Sequence, residues 1–119
     1  MNHETVRQFC LAMPRVTEEV LWGKDLVFKI GGKMFAVLPL EQAPDKPLVL
    51  SFKCTPEEFA ELTECAAIVP APYAARHHWV ALERFDALGQ RELERLLKLA
   101  YALVFAKLPK KLRAQWGDE

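Results

Sequence analysis

Two consecutive glycines, Gly31 and Gly32, separate two runs of strand-forming residues, Leu26 to Ile30 and Lys33 to Leu38. No other feature constrains the fold as strongly. A two-residue link between antiparallel strands needs positive φ at both central positions, and glycine adopts that backbone without steric cost. Such a turn also sets register. Ile30 faces Lys33, and regular pairing then sets Phe28 opposite Phe35 and Leu26 opposite Val37, all on one sheet face. The other face carries Lys29 with Met34 and Val27 with Ala36. The first face holds both phenylalanines and is the expected core side, so Lys29 is expected to project outward.

The remaining elements follow from periodicity and punctuation. Val6, Phe9, Cys10 and Met13 recur at helical spacing over His3 to Met13, and Pro14 stops the run. Val16 to Trp22 reads as a short edge strand or a turn. Pro39 to Pro47 reads as a loop. Leu48 to Lys53 reads as a strand, with Leu48, Leu50 and Phe52 alternating against Val49, Ser51 and Lys53. Thr55-Pro56-Glu57-Glu58 combines a cap, a first-turn proline and a capping-box glutamate, so a helix is expected to about Glu64. Ala66 to Ala75 reads as an irregular connection and His78 to Glu83 as a strand. Gly89 to Lys107 reads as the longest helix. Its second half, Leu99 to Phe105, is apolar almost all round and is expected to be deeply buried or to contact a partner. Lys110 to Trp116 reads as a short amphipathic tail. The order α-β(4)-α-β-α predicts an α+β domain, an antiparallel sheet with helices on one face and the other face partly open.

At 119 residues the chain has room for one such core. The longest uncharged stretch, Cys65 to Ala75, has eleven residues and two prolines, against the about 20 that a membrane span needs. Its first residues lack a signal-peptide pattern, and three widely spaced cysteines suit free thiols in a reducing cytoplasm. Cys65, His77 and His78 match no zinc spacing, and on a strand the two histidines would point to opposite faces, so no metal is expected. Cys54 precedes the Thr55 cap, where a helix N-terminus and Lys53 would lower a thiol pKa. Alternation instead puts it beside Phe52 in the core, where burial raises it. No phosphate-binding glycine loop or nucleophile elbow occurs. No catalytic residue and no cofactor is therefore expected.

The net charge is zero, so attraction to nucleic acid has to come from local clusters. Residues 1–64 carry seven basic and ten acidic side chains, and residues 65–113 carry nine and four. Arg76, His77, His78 and Trp79 set cations beside an aromatic. Lys107, Lys110, Lys111 and Arg113 make a basic C-terminal part, and Lys29 and Lys53 sit on the outer sheet face. Phosphate contacts and base stacking use such groups, and so does an ordinary solvated surface with lysines at a helix C-terminus. Trp22 and Trp79 suit either a core or a stacking platform, and their large area favours the core.

Several short motifs, in order and spacing, resemble the MmcQ/YjbR family. Met13-Pro14-Arg15-Val16-Thr17-Glu18-Glu19 is similar to that family's "LPGVTEE" opening, with Arg15 in place of its glycine. Gly32-Lys33-Met34-Phe35-Ala36 resembles its "GKMFA" strand. Phe52-Lys53-Cys54-Thr55-Pro56-Glu57 is similar to "LKCDPE", with Thr55 replacing one helix cap by another. Pro70 to Tyr73 with His78-Trp79-Val80 resembles its proline-tyrosine stretch and "HWV" strand, and Ala100-Tyr101 stands for its "SY" in the closing helix. The resemblance implies a CyaY-like or double-wing sheet sandwich and a DNA-binding role. With that role, the basic and aromatic residues noted above, Lys29, Lys53, Arg76, His78, Trp79, Lys107, Lys110, Lys111 and Arg113, are the candidate contacts to double-stranded DNA, without catalysis. The alternative is a protein-interaction or small-ligand module on the half-apolar outer face (Val27, Met34, Ala36, Val49), or a homodimer through that face or the apolar last helix. A continuous positive outer sheet would favour DNA, and an apolar patch a partner.

Overall fold

The computed structural model describes residues 1–41 and 47–116. Part of the Pro39–Pro47 loop therefore lies outside the described residues. Among the described residues six antiparallel strands, β1 (Thr17–Leu21), β2 (Asp25–Ile30), β3 (Lys33–Pro39), β4 (Leu50–Lys53), β5 (Ile68–Pro70) and β6 (Trp79–Leu82), form one sheet in the order β1-β2-β3-β4-β6-β5. Four helices among the described residues accompany it: α1 (His3–Leu11), α2 (Pro56–Leu62), α3 (Gln90–Ala106) and α4 (Lys110–Gln115). The α+β class holds, with β5 as an added edge strand. Ile68–Pro70 pairs with β6 through Ile68–Leu82 and Val69–Ala81, and three residues beside two prolines are too short to show strand periodicity.

Gly31 and Gly32 adopt φ of 60° and 80°, so the turn is of the primed kind. Ile30 faces Lys33 and Lys29 faces Met34, as the turn requires. Beyond them the pairing shifts: Phe28 faces Ala36, Val27 faces Val37 and Leu26 faces Leu38. Phe35 is the extra residue of a β-bulge. The bulge sends both Phe35 and Ala36 to the core side and moves Val37 to the outer face, reversing the assignment from regular alternation. Leu26, Phe28, Ile30, Phe35 and Leu38 of the hairpin then all face the helices. Val49 likewise packs with the main core and Leu48 on the outer side, because alternation starts only at Leu50.

Caps set the helix starts. Asn2 accepts from the Thr5 N–H at 2.9 Å, and its own N–H donates to Thr5 Oγ1 at 2.8 Å. Thr55 accepts from the Glu58 N–H at 3.1 Å. The reciprocal contact expected of Glu58 is replaced by an ion pair, since its carboxylate accepts from Arg95 on α3 at 3.0 Å. Val6 and Cys10 of α1 join Leu93, Leu96, Leu97, Ala100 and Val104 of α3 over Leu26, Phe28, Ile30, Phe35, Leu50 and Phe52 of the sheet. The apolar second half of α3 is partly covered within the chain: Ala100 and Val104 are buried, and Ala102 and Ala106 are exposed. Tyr101 stacks on Phe105 at 6.0 Å, and Phe105 meets Trp116 at 6.2 Å.

Among the described residues no helix packs on the opposite face. Across it Glu19, Val27, Val37, Ser51, Ala81 and Val69 stand in register. Trp79, Ala81 and Ala71 form a small apolar cluster with Met34, Val37, Leu48 and Val69. Trp22 is not core. It is 69% exposed in the β1–β2 turn, where it takes a φ of 55°.

Candidate nucleic-acid interface

Antiparallel order brings the β2–β3 turn, the last residue of β4 and the first of β6 to one end of the sheet, with Lys53 directly opposite Trp79. The C-terminal part comes to the same end. A Cβ placed on Gly31 would stand 2.8 Å from both Leu108 methyls and 3.1 Å from a Leu112 methyl. The absent side chain therefore lets Leu108, after α3, and Leu112 of α4 seat against the hairpin tip. Lys33, Lys53, Arg76, Lys107, Lys110 and Lys111 thus gather at this end, although they span most of the sequence.

Two backbone carbonyls hold the centre of the cluster. Lys53 Nζ donates to the His77 carbonyl at 3.0 Å. The Cys54 N–H and Sγ both donate to the His78 carbonyl, at 2.9 and 3.2 Å. Partial burial lowers the Lys53 pKa, and the nearby Lys107 ammonium lowers it further. Two cations within mutual influence mark a site of positive potential. Arg76 is exposed and its Nε donates to His77 Nε2 at 3.3 Å. Lys107, Lys110 and Lys111 are exposed. Glu57, in the first turn of α2, is the exposed acid nearest Lys53 in the chain.

The other nominated residues are placed differently. Lys29 is half-buried and ion-paired with Glu19 on the neighbouring strand, so it is no free outward cation. His77 and His78 lie in and after a 3-10 turn, Ala75–His77, rather than on a strand. His78 takes φ 64° and sets its ring edge-on to Phe59 at 5.7 Å. Trp79 is 9% exposed and packs in the outer-face cluster, which removes it as a stacking platform. Arg113 is half-buried, and its Nε has no hydrogen-bond partner among the described residues. Lys33 and Tyr73, both exposed at this end, fall outside the set the sequence nominates. Lys33 was legible as the residue after the glycine turn. Tyr73 was not, because its loop reads only as proline-rich.

Cys10 and Cys54 are buried in the core. Burial pushes Cys10 up to about 12 and Cys54 up to about 11, with the Glu58 carboxylate adding to the Cys54 shift. Cys65 is exposed and all three are free. At pH 8 a disulfide-forming thiol reagent is expected to label one cysteine quickly in the native protein and three after denaturation. Rapid native labelling of Cys54 would contradict the burial argument.

A shallow cleft of about 200 Å³ lies behind α4, between Pro14, Arg15, Tyr101, Ala102, Phe105 and Trp116. Its polar groups join elements of the fold. Tyr101 donates to the Pro14 carbonyl at 2.8 Å. Arg15, at φ 64°, lays its guanidinium 5.1 Å from the Trp116 ring centre and donates to the Trp116 carbonyl at 3.2 Å. This cation–π contact ties the end of α4 to the loop before β1. Among the described residues no helix is long and apolar enough to cross a membrane.

The YjbR family model matches residues 11–103. The chain is also similar to a crystal structure of the Deinococcus radiodurans protein DR2400, described as a DUF419 domain. The two are 29% identical, with a TM-score of 0.84 over 98% of this chain and 88% of that one. A Pseudomonas syringae protein shares the fold at 20% identity, with a TM-score of 0.72 over 87% of this chain and 98% of that one. None of the curated proteins matches the chain.

Proposed function

The chain belongs to the YjbR family, and from that premise we propose that it is a non-catalytic DNA-binding protein of the cytoplasm. Its contact surface is the basic end of the sheet rather than the outer face as a whole. The observation that carries this reading is the convergence of Lys53, Arg76, Lys107, Lys110 and Lys111. Lys53 is held by the His77 carbonyl, and its pKa is depressed by burial and by Lys107. A chain with no net charge that collects cations at one end has a directional field, which suits local phosphate contact.

Salt dependence tests the reading. The variant Lys107→Gln/Lys110→Gln/Lys111→Gln removes three exposed cations, so the slope of log K against log salt is expected to flatten by about 2–3 on duplex DNA. Lys29→Gln is expected to leave that slope unchanged, because Glu19 already neutralises the ammonium. If the parent protein binds no DNA at low salt, the proposal fails. The interaction-module reading then takes its place. One observation supports it: Val37, Met34 and Val69 are half-exposed around Trp79 on the helix-free face. Ala36 and Val49 belong to the core side and drop out of that surface. A homodimer would use this face or the last helix, where Ala102 is exposed and Tyr101 and Phe105 are half-exposed.

A further inference from the structure

We infer that Tyr73 is a stacking platform for an unpaired base, so that the preferred ligand at the basic end is single-stranded or locally unpaired DNA. This rests on the DNA-binding reading above and narrows it to one class of nucleic acid.

Tyr73 is the most exposed large hydrophobic side chain among the described residues, with its whole ring in solvent. A tyrosine turned fully outward forgoes the burial that its area would otherwise favour. Its backbone sits at φ 65°, a region that non-glycine residues occupy at a cost and that clusters at functional sites. The loop that holds it there is well tied. The Ala71 N–H donates to the Trp79 carbonyl at 3.0 Å, the Ala74 N–H to the Ala71 carbonyl at 3.2 Å, and the His77 N–H to the Ala74 carbonyl at 3.1 Å. Pro70 and Pro72 restrict the approach from the other side. Little backbone freedom therefore remains to be lost when a flat ligand settles on the ring.

The neighbours suit a nucleotide. Arg76 follows three residues later, at most about 11 Å along the chain. His77 follows next, and its carbonyl holds the Lys53 ammonium. An aromatic face beside cations at this reach combines base stacking with phosphate contact, the pairing that single-strand binders use. A base inside a duplex has both faces covered by its neighbours and cannot offer one to a side chain. Tyr73 therefore discriminates in favour of unpaired strands, whereas the lysines attract both forms. Trp79, the aromatic that the sequence nominates, cannot serve because it is buried.

The experiment compares a labelled oligothymidylate with a duplex of equal length, for the parent, Tyr73→Ala, Tyr73→Phe and Tyr73→Trp. Tyr73→Ala is expected to weaken single-strand binding by about 5- to 150-fold, with the salt slope unchanged because no cation is lost. Tyr73→Phe should keep parental affinity, and Tyr73→Trp should add fluorescence quenching on binding. Duplex affinity should change less than about 2-fold in all three. Far-ultraviolet circular dichroism of each variant checks that the fold is retained. Single-strand affinity unchanged in Tyr73→Ala, or single-strand and duplex affinities falling together, overturns the inference while duplex binding with its salt slope leaves the broader reading standing. Absence of binding to either DNA at low salt overturns both.

Discussion

Phe35→Ala is expected to cost about 3–5 kcal/mol of folding stability, the range for deleting a buried ring. Phe35 is fully buried between the sheet and α3. It lies 6.5 Å from the Phe28 ring and meets Tyr101 edge-on at 5.8 Å, so truncation loses two aromatic contacts as well as apolar area. Phe35 is also the bulge residue, so its ring and Ala36 fill the same side of the sheet. The site cannot collapse by a simple slip, because moving β3 by one residue would turn Leu38 out of the core. Urea denaturation should show a lower midpoint at an unchanged slope. Val37→Ala, on the outer face, is expected to cost much less, about 0.5–1.5 kcal/mol. Equal losses at the two positions would show that the bulge had been misplaced.

Gly31→Val is the next largest expected effect, about 2–5 kcal/mol, and Gly32→Val separates its two causes. Both positions have positive φ, so either valine carries backbone strain of about 1–3 kcal/mol. Only at Gly31 does a new Cβ approach Leu108 and Leu112, while Gly32 has nothing within 4 Å. Overpacking a well-filled site costs about 1–3 kcal/mol. Rotation of the Leu108 side chain relieves part of that, but Leu108 is itself buried. Denaturation midpoints should therefore fall in the order parent, Gly32→Val, Gly31→Val. Displacing Leu108 also disturbs the seat of α4, so Gly31→Val should weaken DNA binding more than Gly32→Val does. Equal midpoints for the two valines would mean that α4 does not rest on the turn.

The helices and the hairpin were legible because their signals are local. Pro14 and Pro109 end runs of apolar periodicity, and the Thr55 cap with Pro56 starts α2 within a few residues of itself. The site was only half legible. Lys107, Lys110 and Lys111 cluster in the sequence and remain together in space. Lys29 looked equivalent to Lys53, yet one is taken by Glu19 and the other by a backbone carbonyl. Nothing within a window around Lys29 announces Glu19, because their proximity is created by the pairing of β1 with β2.

The sequence by itself determined the α+β class, the glycine turn, the side of the sheet that takes the aromatic rings, and the family. Each depends on backbone preference or on periodicity over a few adjacent residues. Tertiary structure decided the bulge at Phe35, the added strand β5, the burial of Trp79, the exposure of Tyr73, and the placing of distant cations at the sheet end that holds Lys53. These depend on which atoms meet across strands and helices far apart in the chain. A bulge forms where it lets more side-chain volume face the helices, and a lysine is free or spent according to the carboxylate that the neighbouring strand sets beside it. Local propensity carries no record of either partner.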